Sequence, residues 1–277
     1  MTFAKILTIA LTAGLMLFAA ELKSQEQNLK PGFDKAEYKD MLLMAACSVD
    51  TPWVNSKLVP LKFRLLYRSA VTGLDNRWDL WVNEGDVAVI SIRGTTGTSE
   101  SWLENFYAAM VPANGSMKLS ANRTFDYKLA DNPKAAVHVG WLMATGFLAE
   151  DVISKIDSCY RRGIWDFIIT GHSQGGGISF LMTAYLLNLQ KDGKLPEDIR
   201  FKTYCSAAPK PGNLYFAYDY ENMTSGGWAF NVVNTADWVP ETPLSIQTIE
   251  DFNTVNPFVN AKMTLKKQSL PTRIAMS

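Results

Sequence analysis

Apolar and polar positions recur along this chain with two different periods, and the changes between them mark its elements. Trp141, Thr145, Leu148, Val152 and Ile156 fall on one helix face, and so do Ile178, Leu181, Met182, Tyr185, Leu186 and Leu189. Two long amphipathic helices are therefore predicted. Apolar runs at 86–92 and 165–170 read instead as buried strands. The first pairs with a strand at 78–82 through Asn83-Glu84-Gly85, a turn signal. Further strands are predicted at 202–207 and 229–234, with a helix over 213–222 between them. Near the start, Asp34-Lys35-Ala36-Glu37 has the spacing of a capping box, opening a helix with Tyr38, Met41, Leu42 and Ala45 on one face. Residues 94–133 read as a polar region rich in glycine and asparagine. Helices alternating with strands predict an α/β architecture, a mostly parallel central sheet with helices on both faces.

Residues 1–20 carry an early lysine, Lys5, and then an apolar run that polar residues 21–30 follow at once. That layout predicts a signal peptide over about 1–24, and hence a secreted or periplasmic protein. An uncleaved N-terminal anchor is the alternative. Residues 21–30 read as a flexible lead-in, and 25–277 as a single domain. A chain of 277 residues that is 47% hydrophobic can bury one sizeable core. Lys+Arg and Asp+Glu balance at 27 each, so no basic stripe marks a nucleic-acid partner. Cys47, Cys159 and Cys205 are widely spread, without Cys-x-x-Cys spacing. They read as buried thiols with at most one disulfide, and neither metal nor cofactor is expected.

Chemistry concentrates at Gly171-His172-Ser173-Gln174-Gly175, between a predicted strand and a predicted helix. Gly-x-Ser-x-Gly in that context reads as a nucleophile elbow, a strained turn that pushes the serine hydroxyl out of the sheet. The helix N-terminus also turns its free N–H groups toward the serine.

Four segments in order carry a wider resemblance: Val89-Ile90-Ser91-Ile92-Arg93-Gly94-Thr95-Thr96, Val137-His138-Val139-Gly140-Trp141, the elbow with Gly176, and Val232-Val233-Asn234-Thr235-Ala236-Asp237-Trp238-Val239-Pro240. Across about 78–243 the chain resembles the class 3 lipase family, the fungal-lipase-like branch of the α/β-hydrolases. The segment Ala207-Ala208-Pro209-Lys210-Pro211-Gly212-Asn213 resembles that family's proline/glycine turn.

The resemblance implies an α/β-hydrolase fold and a serine carboxylic-ester hydrolase acting on an ester or lipid substrate, in some cases at a lipid interface. Ser173 takes the place of the nucleophile and Asp237 that of the triad acid, although a turn aspartate capping local N–H groups would look the same. Oxyanion donors fall at Thr95 and at the Gln174 N–H. Gln174 stands where leucine is more usual, which predicts a more polar acyl entrance. Trp102 resembles the tryptophan that opens the lid region, and with Phe106 it marks a substrate or lid segment, unless 100–112 is an ordinary packed helix. Tyr215, Phe216, Tyr218 and Tyr220 read as helix packing and cleft wall, and the lysines of 262–267 as a solvated face.

The histidines are two, His138 and His172, and both precede Asp237, against the order Ser, Asp, His. His172 is expected to point away from the nucleophile and His138 to be a hydrogen-bonded core residue. Two explanations follow: the chain is a C-terminally truncated esterase, or it is a non-catalytic binding protein that keeps the fold without the triad histidine. The first is preferred because every other part of the constellation is present. A peptidase or amidase on the same fold is the third option.

Overall fold

The computed structural model describes residues 28–48 and 59–243; the expected signal peptide and the lysines of 262–267 lie outside them. Helix α1 (Lys35–Cys47) precedes strands β1 (Phe63–Arg68), β2 (Trp78–Asn83) and β3 (Val87–Ile92). Helix α2 (Ser99–Phe106), strands β4 (Met110–Pro112), β5 (Asn114–Ser120), β6 (Arg123–Lys128) and β7 (Ala136–His138) and the long helix α3 (Val139–Tyr160) follow. The remainder is β8 (Asp166–His172), α4 (Gln174–Lys191), β9 (Arg200–Ser206), α5 (Leu214–Met223), β10 (Ala229–Val232) and a 3₁₀ turn at Val239–Glu241.

Six strands make one sheet in the order β1-β2-β3-β8-β9-β10. β1, β2 and β3 pair antiparallel, whereas β3, β8, β9 and β10 run parallel. β3 and β8 are apolar on both sides because helices cover both faces. Ala88, Ile90, Ile92, Phe167 and Ile169 join Leu148, Val152 and Ile156 of α3 and Ile178, Leu181 and Met182 of α4 in the larger core. Val87, Val89 and Ile168 belong to a smaller core with Leu29 and with Met41 and Met44 of α1. Each fully buried methionine there is worth about 1.5–3 kcal/mol of transfer free energy. In the parallel part all strands end at one edge, and the crevice outside those ends is where ligands bind in open α/β sheets.

Several expectations need correction. Asp34 caps α1, accepting from the Ala36 and Glu37 N–H groups at 2.8 and 2.9 Å, but the box does not close. Glu37 turns to the buried Lys202 Nζ at 2.6 Å and accepts from the Tyr204 hydroxyl at 2.6 Å. A buried ammonium on β9 needs a counter-charge more than a helix end needs a second cap. Of the predicted apolar face of α1, Met41 is buried beside Met44, while Leu42 and Ala45 line a cleft. The lead-in is docked by its end: Leu29 is buried, and its N–H donates to Asp166 Oδ2 at 3.1 Å. Residues 94–133 hold α2, β4 and the β5–β6 hairpin, and β4 pairs with β7 just beyond them. Cys159 and Cys205 are buried free thiols as expected, whereas the free thiol of Cys47 is only half-buried.

Candidate active site

β8 gives way to α4 at Ser173, whose φ of 58° and ψ of −127° lie where a side chain is strained. Close backbone approaches hold the turn. A Cβ on Gly171 would sit 2.2 Å from the Gly175 carbonyl, and one on Gly175 2.3 Å from the Ile92 oxygen. A Cβ on Gly94 would lie 2.7 Å from the His172 oxygen, so the absent side chain lets the loop leaving β3 press against the turn. The Ser173 N–H donates to the Ser206 carbonyl of β9 at 2.9 Å, and its own carbonyl accepts from Gly176 and Gly177. Ser173 lines a cleft of about 470 Å³ together with Gly94, Thr95, His172, Leu42, Ala45 and Ala46. The last three come from α1, so the helix that packs Met41 and Met44 into the smaller core also walls this cleft.

Thr95 is therefore brought to Ser173. Its hydroxyl accepts from Asn105 Nδ2 at 3.0 Å. Gln174 is the first residue of α4, so its N–H has no intrahelical acceptor. Its side chain overturns the expectation of a polar acyl entrance, because it is buried beneath α2. Gln174 Oε1 accepts from Ser101 Oγ at 3.2 Å, and Nε2 donates to Glu104 Oε1 at 2.7 Å. Residues with long polar side chains fill such a place only where partners satisfy every polar atom.

Asp237 lies in the turn after β10, half-buried. Its N–H donates to the Asn234 carbonyl, and its Oδ1 accepts from the Val239 N–H at 3.0 Å. The capping geometry is thus real, and among the described residues Oδ2 has no hydrogen-bond partner. Its charge reaches His172, whose pKa burial lowers while the Asp237 carboxylate partly offsets that effect.

His172 is among the residues that line the cleft of Ser173. His172 faces Ser206 in the β8–β9 register, and its Nδ1 lies 3.2 Å from Ser206 Oγ, which in turn is 2.8 Å from the Tyr38 hydroxyl. Strict strand alternation stops at the turn, so the ring is placed by this contact instead. His138 is the core residue expected. Its Nδ1 accepts from the Trp141 N–H at 3.3 Å, its Nε2 contacts the Asn105 carbonyl at 3.2 Å, and the ring stacks on Trp141 at 3.7 Å. Burial pushes it down to about 4, so it is neutral at ordinary pH.

Trp102 and Phe106 are 46% and 63% exposed and stack with centroids 6.1 Å apart, beside exposed Leu103. α2 buries Ser101 and Glu104 instead. Its polarity is inverted: polar side chains face the protein and apolar ones face outward. Phe216 and Tyr220 pack inside, whereas Tyr215 and Tyr218 are exposed. Phe216 and Tyr220 line a second cavity, of about 410 Å³, behind residues 208–213.

Sequence reasoning missed Glu104, Asn105 and Asn76. Nothing in Glu100–Pro112 marked the two α2 residues as inward-facing, because the apolar residues around them suggested the opposite orientation.

A parallel sheet whose central strand turns at a strained serine into a helix, with an acidic residue after a later strand, is an α/β-hydrolase fold. The sequence matches the family described as lipase (class 3) over residues 89–246, and the chain belongs to that family. A secreted mono- and diacylglycerol lipase of Fusarium solani is 27% identical over 157 residues, 56% of this chain. The chain spans 39% of that relative's length. The fold is shared with the triacylglyceride lipase of Rhizomucor miehei, with a TM-score of 0.53 and 19% identity over 80% of this chain and 76% of that one. Lipase II of Rhizopus niveus gives a TM-score of 0.51 and 19% identity, covering 77% of each chain. Among the described residues no helix is long and apolar enough to cross a membrane.

Proposed function

We propose that this protein is an exported serine hydrolase of carboxylic esters that works by acyl transfer. The observation that carries the reading is Ser173, strained at the strand-to-helix turn and sharing its cleft with Thr95. In this reading the Ser173 hydroxyl attacks the ester carbonyl, and the Thr95 and Gln174 N–H groups receive the negative charge on its oxygen. Asp237 orients the histidine that takes the serine proton and returns it to the leaving alcohol. His138 is buried and hydrogen-bonded at both nitrogens, which leaves it unsuited to that role.

Acylglycerols are the substrate class we favour, following the name of the Fusarium relative. The apolar run after Lys5 and the name of the secreted relative support export. The outward apolar side of α2, with Trp102 and Phe106, supports contact with a lipid interface, since exposed apolar patches of this kind mark interaction sites. The test is turnover of short- and medium-chain p-nitrophenyl esters by the protein and by its Ser173→Ala variant. Losing a triad nucleophile costs several powers of ten, and equal turnover by a folded Ser173→Ala protein would refute the assignment.

A second reading, a binding protein without hydrolysis, is favoured by one observation: among the described residues no histidine is hydrogen-bonded to Asp237 or to the Ser173 hydroxyl. Saturable binding of a fluorescent acylglycerol without Ser173-dependent turnover would support it.

A further inference from the structure

Beneath α2 lies a buried polar cluster that none of the roles above uses. Glu104 is fully buried, and its two carboxylate oxygens face two different amides. Oε1 accepts from Gln174 Nε2 at 2.7 Å, and Oε2 accepts from Asn76 Nδ2 at 2.5 Å. The other end of the Gln174 amide is held as well: Oε1 accepts from Ser101 Oγ at 3.2 Å, and that hydroxyl accepts from the Thr96 N–H at 3.1 Å. Every polar atom of the Gln174 side chain is therefore fixed from α2, and α2 is fixed to the segment before β2 through Asn76. Close packing tightens the joint, since a Cβ on Gly140 of α3 would lie 2.2 Å from the Glu104 carbonyl oxygen.

We propose that Glu104 is a positioning residue for the hydrolytic site: by holding the Gln174 side chain it fixes the backbone N–H beside Ser173 and locks α2 in place with its apolar side outward. The inference rests on the hydrolase reading for the use of that N–H, but the lock itself does not. The carboxylate suits the task because it only accepts, and both groups facing it are donors. Burial, with the nearby Asp75 carboxylate adding to it, pushes Glu104 up to about 7. Of the other charged groups nearby, Arg93 is paired with Asp75 at 2.7 Å. His138, which contacts the next residue of α2 through the Asn105 carbonyl, stays neutral. Both oxygens meet N–H donors, and those two hydrogen bonds offset part of the cost of burying the charge.

The test uses the full chain and needs no turnover. Nuclear magnetic resonance of wild type between pH 5 and 9 should show the Gln174 side-chain amide signals titrating with one midpoint near 7, and Glu104→Gln should abolish that titration. In Glu104→Ala, amide hydrogen exchange across 99–107 should quicken at least tenfold while exchange in β3 and β8 stays unchanged. Gln174 side-chain amide signals that are identical in wild type and Glu104→Gln at every pH overturn the proposal even if Glu104→Ala fails to fold. So does exchange that is unaltered in α2 or quickened equally everywhere. Where the protein hydrolyses esters, Glu104→Ala should lower kcat about tenfold at unchanged KM, with partial recovery in Glu104→Gln, which keeps one acceptor. An inactive protein that still shows the Gln174 response would sink the hydrolase reading and leave the lock standing.

Discussion

Replacing Ser173 by alanine and by glycine removes the same hydroxyl but treats the backbone differently, and the comparison isolates the strain at the turn. At φ 58° and ψ −127° a residue with a Cβ pays about 1–3 kcal/mol that glycine avoids. Glycine loses about 0.4–1 kcal/mol of that advantage through its greater freedom in the unfolded chain. The net expectation is that Ser173→Gly is more stable than Ser173→Ala by about 1 kcal/mol. For a domain of this size 1 kcal/mol corresponds to roughly 2–4 °C in melting temperature. Thermal unfolding followed by circular dichroism, checked by a urea midpoint shift at constant m, reads the difference directly. Ser173→Ala should differ little from wild type, because the described residues offer the hydroxyl no side-chain partner. A glycine variant that melts at or below the alanine variant would show that the turn stores no strain, and the elbow would lose its physical signature.

Gly171→Ala should destabilise by about 1–3 kcal/mol or more, because the new Cβ meets the Gly175 carbonyl at 2.2 Å and both sides of that contact are backbone; an unchanged urea midpoint would refute the crowding. Gly177→Ala, whose Cβ approaches the Trp141 ring at 3.2 Å and the Pro209 ring at 3.4 Å, should cost clearly less in the same assay. Stability should also carry two opposite pH slopes. Glu104, raised above its ordinary value of 4.5 to about 7, contributes stability that is complete below 4.5 and lost as pH rises through 7, on the order of 3 kcal/mol at most. His138, lowered from 6.5 to about 4, contributes stability present above 6.5 and lost as pH falls through 4, and urea titrations from pH 4 to 9 on wild type, Glu104→Gln and His138→Asn should assign each slope to its residue. Trp102→Ser with Phe106→Ser should lower turnover of emulsified esters while sparing soluble ones, and equal losses on both would argue against an interfacial role.

The sequence by itself determined the elements whose periodicity is complete within one segment. The faces of α3 and α4, the paired β2 and β3 strands, and the serine turn between β8 and α4 are all local patterns, set by spacing and by glycine. The resemblance of four ordered segments extended this to the fold and offered Thr95, Ser173 and Asp237 as candidate site residues. Tertiary structure decided what local pattern cannot encode, namely which polar group satisfies which. Glu37 abandons its capping role because Lys202, 165 positions away, is buried within reach. Gln174 turns inward because Glu104 and Ser101, some 70 residues earlier, meet both ends of its amide. α2 faces its tryptophan outward for the same reason, since hydrogen bonds to its polar side outweigh the burial its apolar residues would otherwise seek. A buried polar atom must find a partner, and the partner's distance along the chain leaves no trace in the pattern around either residue.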